Sequence, residues 1–217
     1  MNIRVLLVDD HAVVRQGYRT LLENAPDIEV IAEAASGEQA CRYFADQGPD
    51  VVVMDLSLPG IGGLEAIRRI MLRDNQALVL VFSMHDDNAF VEKALEAGAR
   101  GYITKNSAPE TLVGAVREVA NGKLFIDPQL THNLSVKKSM EGRDAVSALT
   151  TREFEIFFLL AQGKSPQQAA SELALSYKTV ANYTTQIKSK LNVRNNTELV
   201  HLAIRNGIIK PVSEQME

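Results

Sequence analysis

Hydrophobic positions in the first 120 residues fall into short, nearly continuous runs that are rich in Val, Ile and Leu. Such runs are typical of parallel strands that are buried on both faces of a sheet. They predict strands at residues 3–8, 30–35, 51–54, 78–82 and 101–104. Amphipathic stretches between them predict helices at residues 12–24, 37–47, 63–73, 87–97 and 108–120. This alternation indicates an α/β domain with a parallel sheet and right-handed crossovers.

The pattern changes after residue 120. Asp127 followed by Pro128 predicts a short helix to about Lys138, because proline is favoured at the first position of a helix. The stretch SMEGRDAVSA that follows is typical of a polar, flexible linker. We therefore divide the chain into a first domain (1–122), a linker with a possible short helix (123–148) and a second domain (149–217).

The second domain contains only helix signals. Serine, threonine and asparagine caps, three of them followed by Glu or Gln at the third helical position, predict four short helices. The caps are Thr150 with Glu153, Ser165 with Gln168, Ser176, and Asn195 with Glu198. Only a few residues around Leu175 join the second and third of these helices, which is typical of a helix-turn-helix.

Composition and charge narrow the possible functions. With 46% hydrophobic and 23% charged residues, the chain is an ordinary globular protein. Its apolar runs are shorter than the roughly 20 residues of a membrane span, and its single cysteine is consistent with a cytoplasmic location. Residues 1–120 hold 11 Lys+Arg against 18 Asp+Glu, whereas residues 149–217 hold 8 against 6. The two ends of the chain are therefore expected to have different partners.

Acidic residues follow two strands that should be neighbours. Asp9 and Asp10 come directly after the first strand, and Asp55 follows the third. In a doubly wound sheet with the order 2-1-3-4-5, the ends of these strands line the crevice where ligands bind. Three converging carboxylates would repel one another, so a cation is expected. Ligands that are all oxygen atoms favour Mg²⁺.

Ser83 follows the fourth strand and Lys105 the fifth, so both should border the same crevice. A hydroxyl and an ammonium beside a magnesium-bound carboxylate form a site that can accept a phosphoryl group. In this interpretation Asp55 attacks phosphorus, while the metal ion and Lys105 neutralise the phosphoryl oxygens.

These residues resemble the receiver domain of two-component response regulators over about residues 1–122. The matching residues are Asp9-Asp10, Met54-Asp55 with Pro59-Gly60, Ser83, Gly101-Tyr102 and Lys105. The resemblance implies a flavodoxin-like (βα)5 fold and a cognate histidine kinase that phosphorylates Asp55. It also implies that Asp10 is the main metal ligand, that Asp9 assists, and that the backbone carbonyl of Ser57 is a further ligand.

Three further expectations concern the residues and loops around this site. It implies that Ser83 and Tyr102 respond to the phosphoryl group and that Lys105 pairs with one of its oxygens. Asn106 stands where many receivers have a proline with a cis peptide bond, so the geometry of this loop stays open. The glycines of residues 60–63 lack the spacing of a nucleotide-binding loop, and we expect this segment to bend around Asp55.

The third helix of the second domain has two distinct faces. Val180, Tyr183 or Thr184, Ile187 and Leu191 form an apolar seam, and Lys178, Asn182, Thr185 and Ser189 form an opposite stripe without acids. Such a stripe is suited to phosphates and base edges of DNA, although an ordinary helical bundle remains the alternative.

The span from Leu149 to Ile209 resembles the LuxR-type helix-turn-helix domain. The matching residues are Leu149-Thr150, Arg152-Glu153, Gly163, Ser165, Ala169, Leu173, Ser176, Thr179-Val180, Ile187, Lys190-Leu191, Val193, Glu198, Ala203 and Gly207. With the receiver, this resembles the NarL/FixJ class of response regulators, and the last helix (LVHLAIRNGII) is similar to the GacA/UvrY-like subgroup.

The expected contacts with double-stranded DNA are Lys178, Thr179, Ala181, Asn182, Thr185, Gln186, Lys188, Lys190 and Arg194. Ala181 and Tyr183 replace a lysine and a histidine that are frequent in the family, so the operator sequence cannot be inferred. Few basic contacts per protomer favour a homodimer on paired promoter half-sites. Residues 196–206, with Leu199, Leu202 and Ala203 along one side, could form the dimer surface or simply pack within the domain.

The sequence thus predicts a transcription regulator, not an enzyme, that is controlled by phosphorylation of Asp55. Two alternatives stay open: a pseudo-receiver controlled by protein contacts, and an aspartate-based phosphatase or phosphotransferase. The intact acidic set disfavours the first alternative. Ser57 disfavours the second, because a general acid would be expected two positions after the nucleophile.

Overall fold

A six-stranded, entirely parallel sheet with the order β2-β1-β3-β4-β5-β6 forms the centre of the first part of the chain. Its strands are β1 (Ile3–Val8), β2 (Ile28–Ala34), β3 (Val51–Met54), β4 (Val79–Ser83), β5 (Gly101–Thr104) and β6 (Phe125–Ile126). This computed structural model describes residues 2–130 and 145–209. The chain forms two compact units, Met1–Ser139 and Met140–Glu217.

Five helices connect the strands: α1 (Ala12–Glu23), α2 (Gly37–Gln47), α3 (Gly63–Arg73), α4 (Asn88–Ala97) and α5 (Pro109–Ala120). The predicted strand order 2-1-3-4-5 is confirmed, and β1, β3 and β5 have the predicted bounds. Ser36 caps α2 through the amide of Gln39, as predicted, whereas α4 begins after Asp87 rather than Asp86.

One face of the sheet packs against α1 and α5. Alternate residues of the central strands, such as Val5, Leu7, Val51 and Val53, point into this core because side chains alternate between the two faces of a strand. All four are at most 1% exposed. The continuous apolar runs arise because α2, α3 and α4 cover the other face.

The sixth strand, β6, corrects the assignment of residues 123–148 to the linker. β6 pairs with β5 through Gly101 with Phe125 and Tyr102 with Ile126. Two residues are too short to give a strand periodicity, so the sequence pattern did not reveal it. The sheet therefore continues past residue 122.

The rest of the predicted linker is described only at its two ends. A helix begins at Pro128 as predicted, with Asp127 Oδ1 accepting a hydrogen bond from the amide of Gln129 at 2.9 Å. Its predicted continuation to Lys138 lies outside the described residues, as does most of the linker. Ala145–Ala148 forms a short 3-10 helix with Val146 buried, so these residues are ordered and belong to the second unit.

After this 3-10 helix, the described part of the second unit contains α6 (Thr151–Ala161), α7 (Pro166–Glu172), α8 (Tyr177–Leu191) and α9 (Asn196–Arg205). All four predicted caps are confirmed, with two complete capping boxes at Thr150 and Ser165. Ala174 has a φ of 50° in the four-residue connection between α7 and α8. This left-handed residue turns the chain sharply between the two helices.

Packing within the second unit accounts for part of residues 196–206. Leu199 and Ala203 are fully buried, and α9 packs against α6 of the same unit. These two residues therefore belong to the domain core, whereas Leu202 is half-buried, so a dimer surface on the outer side of this helix stays a prediction. Among the described residues, no helix combines the length and apolar character needed to cross a membrane.

Candidate phosphoacceptor site and nucleic-acid interface

Asp9 and Asp55 stand side by side where β1 and β3 end. The amide of Asp55 donates to the carbonyl of Val8 at 3.0 Å, and the amide of Asp9 donates to the carbonyl of Ala34 at 3.0 Å. These bonds extend the strand pairing by one residue, so the sheet itself fixes both backbones. The two carboxylates are 2% and 3% exposed, and burying them without a partner would be strongly unfavourable.

Lys105 supplies that partner. Its Nζ lies 2.6 Å from Asp9 Oδ2 and 2.6 Å from Asp55 Oδ2, which joins two carboxylates from different strands through one ammonium. The amide of Lys105 bonds the carbonyl of Ser83 at 2.8 Å, so β4 positions the base of the side chain. Burial alone would lower the pKa of Lys105, but the two carboxylates raise it above its ordinary value. Lys105 is therefore charged at neutral pH.

Asp10, the third carboxylate of the site, is not paired with Lys105. Asp10 Oδ1 is buried and has no hydrogen-bond partner among the described residues. His11 Nδ1 approaches it to 2.8 Å without hydrogen-bond geometry. Potential ligand atoms of Asp9, Asp10 and His11 lie within 4.8 Å of one another. A buried, orphaned carboxylate oxygen beside a second carboxylate fits a hard cation.

The loop after β3 folds back on Asp55. The amide of Ser57 donates to Asp55 Oδ1 at 3.2 Å. A Cβ on Gly63 would lie 2.2 Å from the carbonyl oxygen of Asp55, so only glycine fits there. The prediction that residues 60–63 bend around Asp55 is confirmed. On the opposite side of the site, Lys105 and Asn106 are joined by a trans bond, since no peptide bond in the described residues is cis.

Ser83 and Tyr102 are both buried and meet at the loop between β4 and α4. The Tyr102 hydroxyl donates to the carbonyl of His85 at 2.8 Å, and the amide of His85 donates to Ser83 Oγ at 3.3 Å. Burial raises the pKa of Tyr102, which therefore remains a hydrogen-bond donor. The two predicted switch residues thus share His85 as a neighbour.

Sequence reasoning did not identify His85. Its ring stacks on Phe90 with centroids 3.9 Å apart, and its Nε2 lies 3.2 Å from Ser57 Oγ. No periodicity or motif marks this residue. Only its position two residues after Ser83 could have drawn attention to it.

The predicted DNA-facing stripe of α8 is exposed along its whole length: Lys178, Asn182, Thr185 and Ser189 all face solvent. Val180, Ile187 and Leu191 on the opposite side are buried, which confirms the apolar seam. Gln186 and Arg194 are also exposed, whereas Thr179, Ala181 and Lys188 are half-buried. One face of the helix is therefore packed into the domain, and the other is polar, exposed and without acidic residues.

Lys190 has a different environment from the other basic residues of α8. Its Nζ lies 2.7 Å from Glu153 Oε2, and Glu153 is the buried glutamate of the capping box that begins α6. Burial would raise the pKa of Glu153, but bonds from Lys190 and Thr150 outweigh it and hold the pKa below its ordinary value. Lys190 thus anchors α8 to α6.

Comparison with known families accounts for both units. Residues 5–117 match the response regulator receiver domain, and residues 147–203 match the luxR family of bacterial regulatory proteins. Response regulator UvrY of Escherichia coli (strain K12) is 38% identical over 208 residues, covering 95% of each chain. The chain belongs to the LuxR-type response regulators.

Two further relatives cover almost the same span. Response regulator GacA of Pseudomonas aeruginosa is 35% identical over 213 residues, covering 97% of this chain and all of that one. The solved structure of the response regulator RcsB in complex with DNA has a TM-score of 0.61 at 25% identity, covering 93% of this chain and 98% of that one. Members of this family regulate transcription and are not enzymes, which excludes the phosphatase or phosphotransferase alternative.

In this response regulator the receiver residues predicted from sequence occupy one end of the sheet. Asp9, Asp55 and Lys105 are in direct contact, Ser57 bonds Asp55, and Asp10 lies beside Asp9. Ser83 and Tyr102 lie one loop away and meet through His85.

Proposed function

We propose that this response regulator is switched by transfer of a phosphoryl group from a histidine kinase to Asp55. The bridge from Lys105 to Asp55 and Asp9 carries the proposal, because an ammonium 2.6 Å from the acceptor oxygen can neutralise an arriving phosphoryl oxygen. In the transfer, an Asp55 carboxylate oxygen forms a bond to phosphorus. The P–N bond of the donor phosphohistidine breaks, and the imidazole leaves with the electron pair.

We propose Mg²⁺ as the cation of this site. Asp10 would be its main ligand, with Asp9, Asp55 and the backbone carbonyl of Ser57 completing the protein's share. The orphaned Asp10 Oδ1 supports this assignment, and burial raises the pKa of Asp55 above its ordinary value even beside Lys105. When bound, the ion would offset the negative charge of the phosphoryl oxygens.

We propose that Ser83 and Tyr102 report the phosphoryl group to the rest of the receiver. Ser83 Oγ at present accepts a bond from the amide of His85, so its hydroxyl proton can be donated elsewhere. A bond from Ser83 to a phosphoryl oxygen would draw this loop toward Asp55. Tyr102 would move with the loop, because its hydroxyl bonds the carbonyl of His85.

DNA recognition is assigned to α8. We propose base-edge contacts from the exposed Asn182, Thr185 and Gln186 and phosphate contacts from Lys178, Lys188 and Arg194, supported by the acid-free face. Thr179 and Ala181 would pack close to the duplex, and Lys190 would contribute mainly through Glu153. A cytoplasmic homodimer would bind paired half-sites, and phosphorylation would change its affinity.

The experiment adds Mg²⁺ and acetyl phosphate to wild type and to Asp55→Asn. Intact mass spectrometry measures the phosphoryl adduct, and gel retardation measures binding to DNA that the phosphorylated protein selects from a random pool. We expect one adduct and tighter DNA binding for wild type only. Asp46→Asn serves as a matched control, since it makes the same substitution at an exposed position of α2 and should behave as wild type.

Two results would contradict the proposal in different places. Absence of an adduct on wild type would remove Asp55 as the acceptor and favour control by protein contacts alone. An adduct that leaves DNA affinity unchanged would keep both domains but deny that phosphorylation couples them.

A further inference from the structure

Arg15 of α1 reaches behind the acidic site. Its Nη1 donates to the backbone carbonyl of Asp9, and its Nε donates to Glu33 Oε2 at 2.9 Å. Arg15 thus links the backbone of Asp9 to Glu33, which lies near the end of β2. The side chain is 17% exposed, so the guanidinium is held within the protein rather than free in solvent.

Every polar atom of Asp9 is then engaged. Its amide bonds the carbonyl of Ala34, its Oδ1 accepts from the amide of His11 at 2.8 Å, and its Oδ2 meets Lys105. The carbonyl is held by Arg15 alone among the contacts of the described residues. The carbonyl lies in the planar peptide that joins Asp9 to Asp10, so holding it restrains the rotation of that peptide and thereby the direction of both side chains.

A second arginine on the same helix provides a natural comparison. Arg19 Nη1 lies 2.6 Å from Glu33 Oε1 and Arg19 Nε lies 3.0 Å from Glu23, so it shares Glu33 with Arg15. Burial would raise the pKa of Glu33, but the two arginines outweigh it and keep the carboxylate charged. In the part of the chain that the structure describes, Arg19 does not bond Asp9. Both arginines thus bond Glu33, but Arg15 also bonds the Asp9 carbonyl, whereas Arg19 bonds Glu23.

We propose that Arg15, held by Glu33, is a positioning residue for the cation site, acting through the peptide that joins Asp9 and Asp10. Arg15 contacts neither the cation nor the phosphoryl group. The inference rests on the proposed function, since it assumes that Mg²⁺ binds at Asp9 and Asp10. Groups that only orient a metal ligand typically change metal affinity by about 10- to 100-fold when removed.

The lost charge and the lost hydrogen bond of Arg15→Gln should change Mg²⁺ affinity in opposite directions. Removing a positive charge near an acidic site should tighten Mg²⁺ binding if electrostatics alone matter. Loss of the bond to the Asp9 carbonyl should weaken it, and we expect a dissociation constant about tenfold higher. Arg19→Gln removes the same charge from the same helix, so its Mg²⁺ affinity should be unchanged or slightly tighter. Arg15→Lys keeps the charge and one donor group, and should fall between wild type and Arg15→Gln.

The test measures Mg²⁺ affinity of the full chain from backbone amide shifts in an NMR titration, with thermal melting to verify folding. Phosphorylation by acetyl phosphate is then followed at low and at saturating Mg²⁺. We expect Arg15→Gln to be slow at low Mg²⁺ and to recover to within about threefold of wild type at saturation, because the residue acts on the ligand geometry. If Arg15→Gln does not fold, Arg15→Lys takes its place.

Equal or tighter Mg²⁺ binding by Arg15→Gln would overturn the inference. So would an equal loss in Arg19→Gln, which would indicate a general effect of the charge network. A wild type that binds no Mg²⁺ would instead contradict the proposed function, so the two failures are distinguishable.

Discussion

The imidazole Nε2 of His85 lies 3.2 Å from Ser57 Oγ, which connects the loop after β4 to the loop after β3. The ring also stacks on Phe90, and its backbone bonds both Ser83 and Tyr102. Burial lowers the pKa of His85 from 6.5 to about 4, with Lys105 contributing and Asp86 opposing. At physiological pH a neutral imidazole therefore connects the loop after Asp55 to Ser83 and Tyr102.

Acidification should destabilise the receiver through His85. Between pH 6.5 and about 4 the unfolded chain binds a proton at this position and the folded chain does not, so stability falls as pH falls through this window. From pH 7 to pH 5 we expect wild type to lose about 1–2 kcal/mol more than His85→Phe, which keeps a ring against Phe90. Urea denaturation at both pH values measures the difference. His201→Phe, at an exposed position of α9, is the control and should show the same pH dependence as wild type. If His85→Phe also shows the pH dependence of wild type, the loss of stability does not come from His85.

The close approach at Gly63 predicts a strong effect of a single methyl group. Gly63→Ala should destabilise the receiver by about 2 kcal/mol and slow phosphorylation, because its Cβ would displace the backbone of Asp55 and Leu56. Gly17→Ala is the matched control, since nothing lies within 4 Å of its Cβ position in α1, and it should be neutral or stabilising by about 0.5–1 kcal/mol. Thermal melting and the rate of adduct formation test both. Similar effects of the two substitutions would refute the steric explanation.

Two lysines of α8 should separate DNA affinity from stability. Lys178→Ala should weaken binding to all DNA sequences and reduce the salt dependence by about one unit, with little change in unfolding free energy. Lys190→Ala should instead lower the unfolding free energy by about 1–3 kcal/mol, because buried Glu153 loses its cationic partner and keeps only the bonds from Thr150. Salt titrations of DNA binding and urea denaturation of each variant provide the measurements. Unchanged stability of Lys190→Ala would indicate that the ion pair is not structural.

Asn182 should affect which sequence is bound rather than how the backbone is held. Its side chain is exposed in the middle of the acid-free stripe, and asparagine can bond a base edge in the major groove. Asn182→Ala should lose about 1–3 kcal/mol of discrimination at one base position while the salt dependence stays constant. Selection from a random DNA pool before and after the substitution tests this. Ser189→Ala, four residues beyond Thr185 on the same stripe, is the control.

The elements around the phosphoacceptor site were predictable because strand ends can be located from apolar runs. β1, β3 and β5 have the predicted bounds, and the acidic and basic residues that follow them meet as a parallel sheet requires. Side-chain contacts away from the strand ends were not predictable. The pairing of Lys190 with Glu153 spans 37 residues, and the bond from Arg15 to the carbonyl of Asp9 depends on how α1 leaves the strand.

The sixth strand has a practical consequence for anyone who isolates the receiver. β5 is an inner strand only because β6 occupies its outer side, and the amide of Asp127 bonds the carbonyl of Tyr102 at 2.9 Å. A fragment cut at residue 122 would leave the outer carbonyl groups of Arg100 and Tyr102 without their partners, the amides of Phe125 and Asp127. Bare edges of this kind recruit strands from other molecules. Self-association of such a fragment would therefore reflect the position of the cut, and a fragment that extends to residue 130 would keep the edge covered.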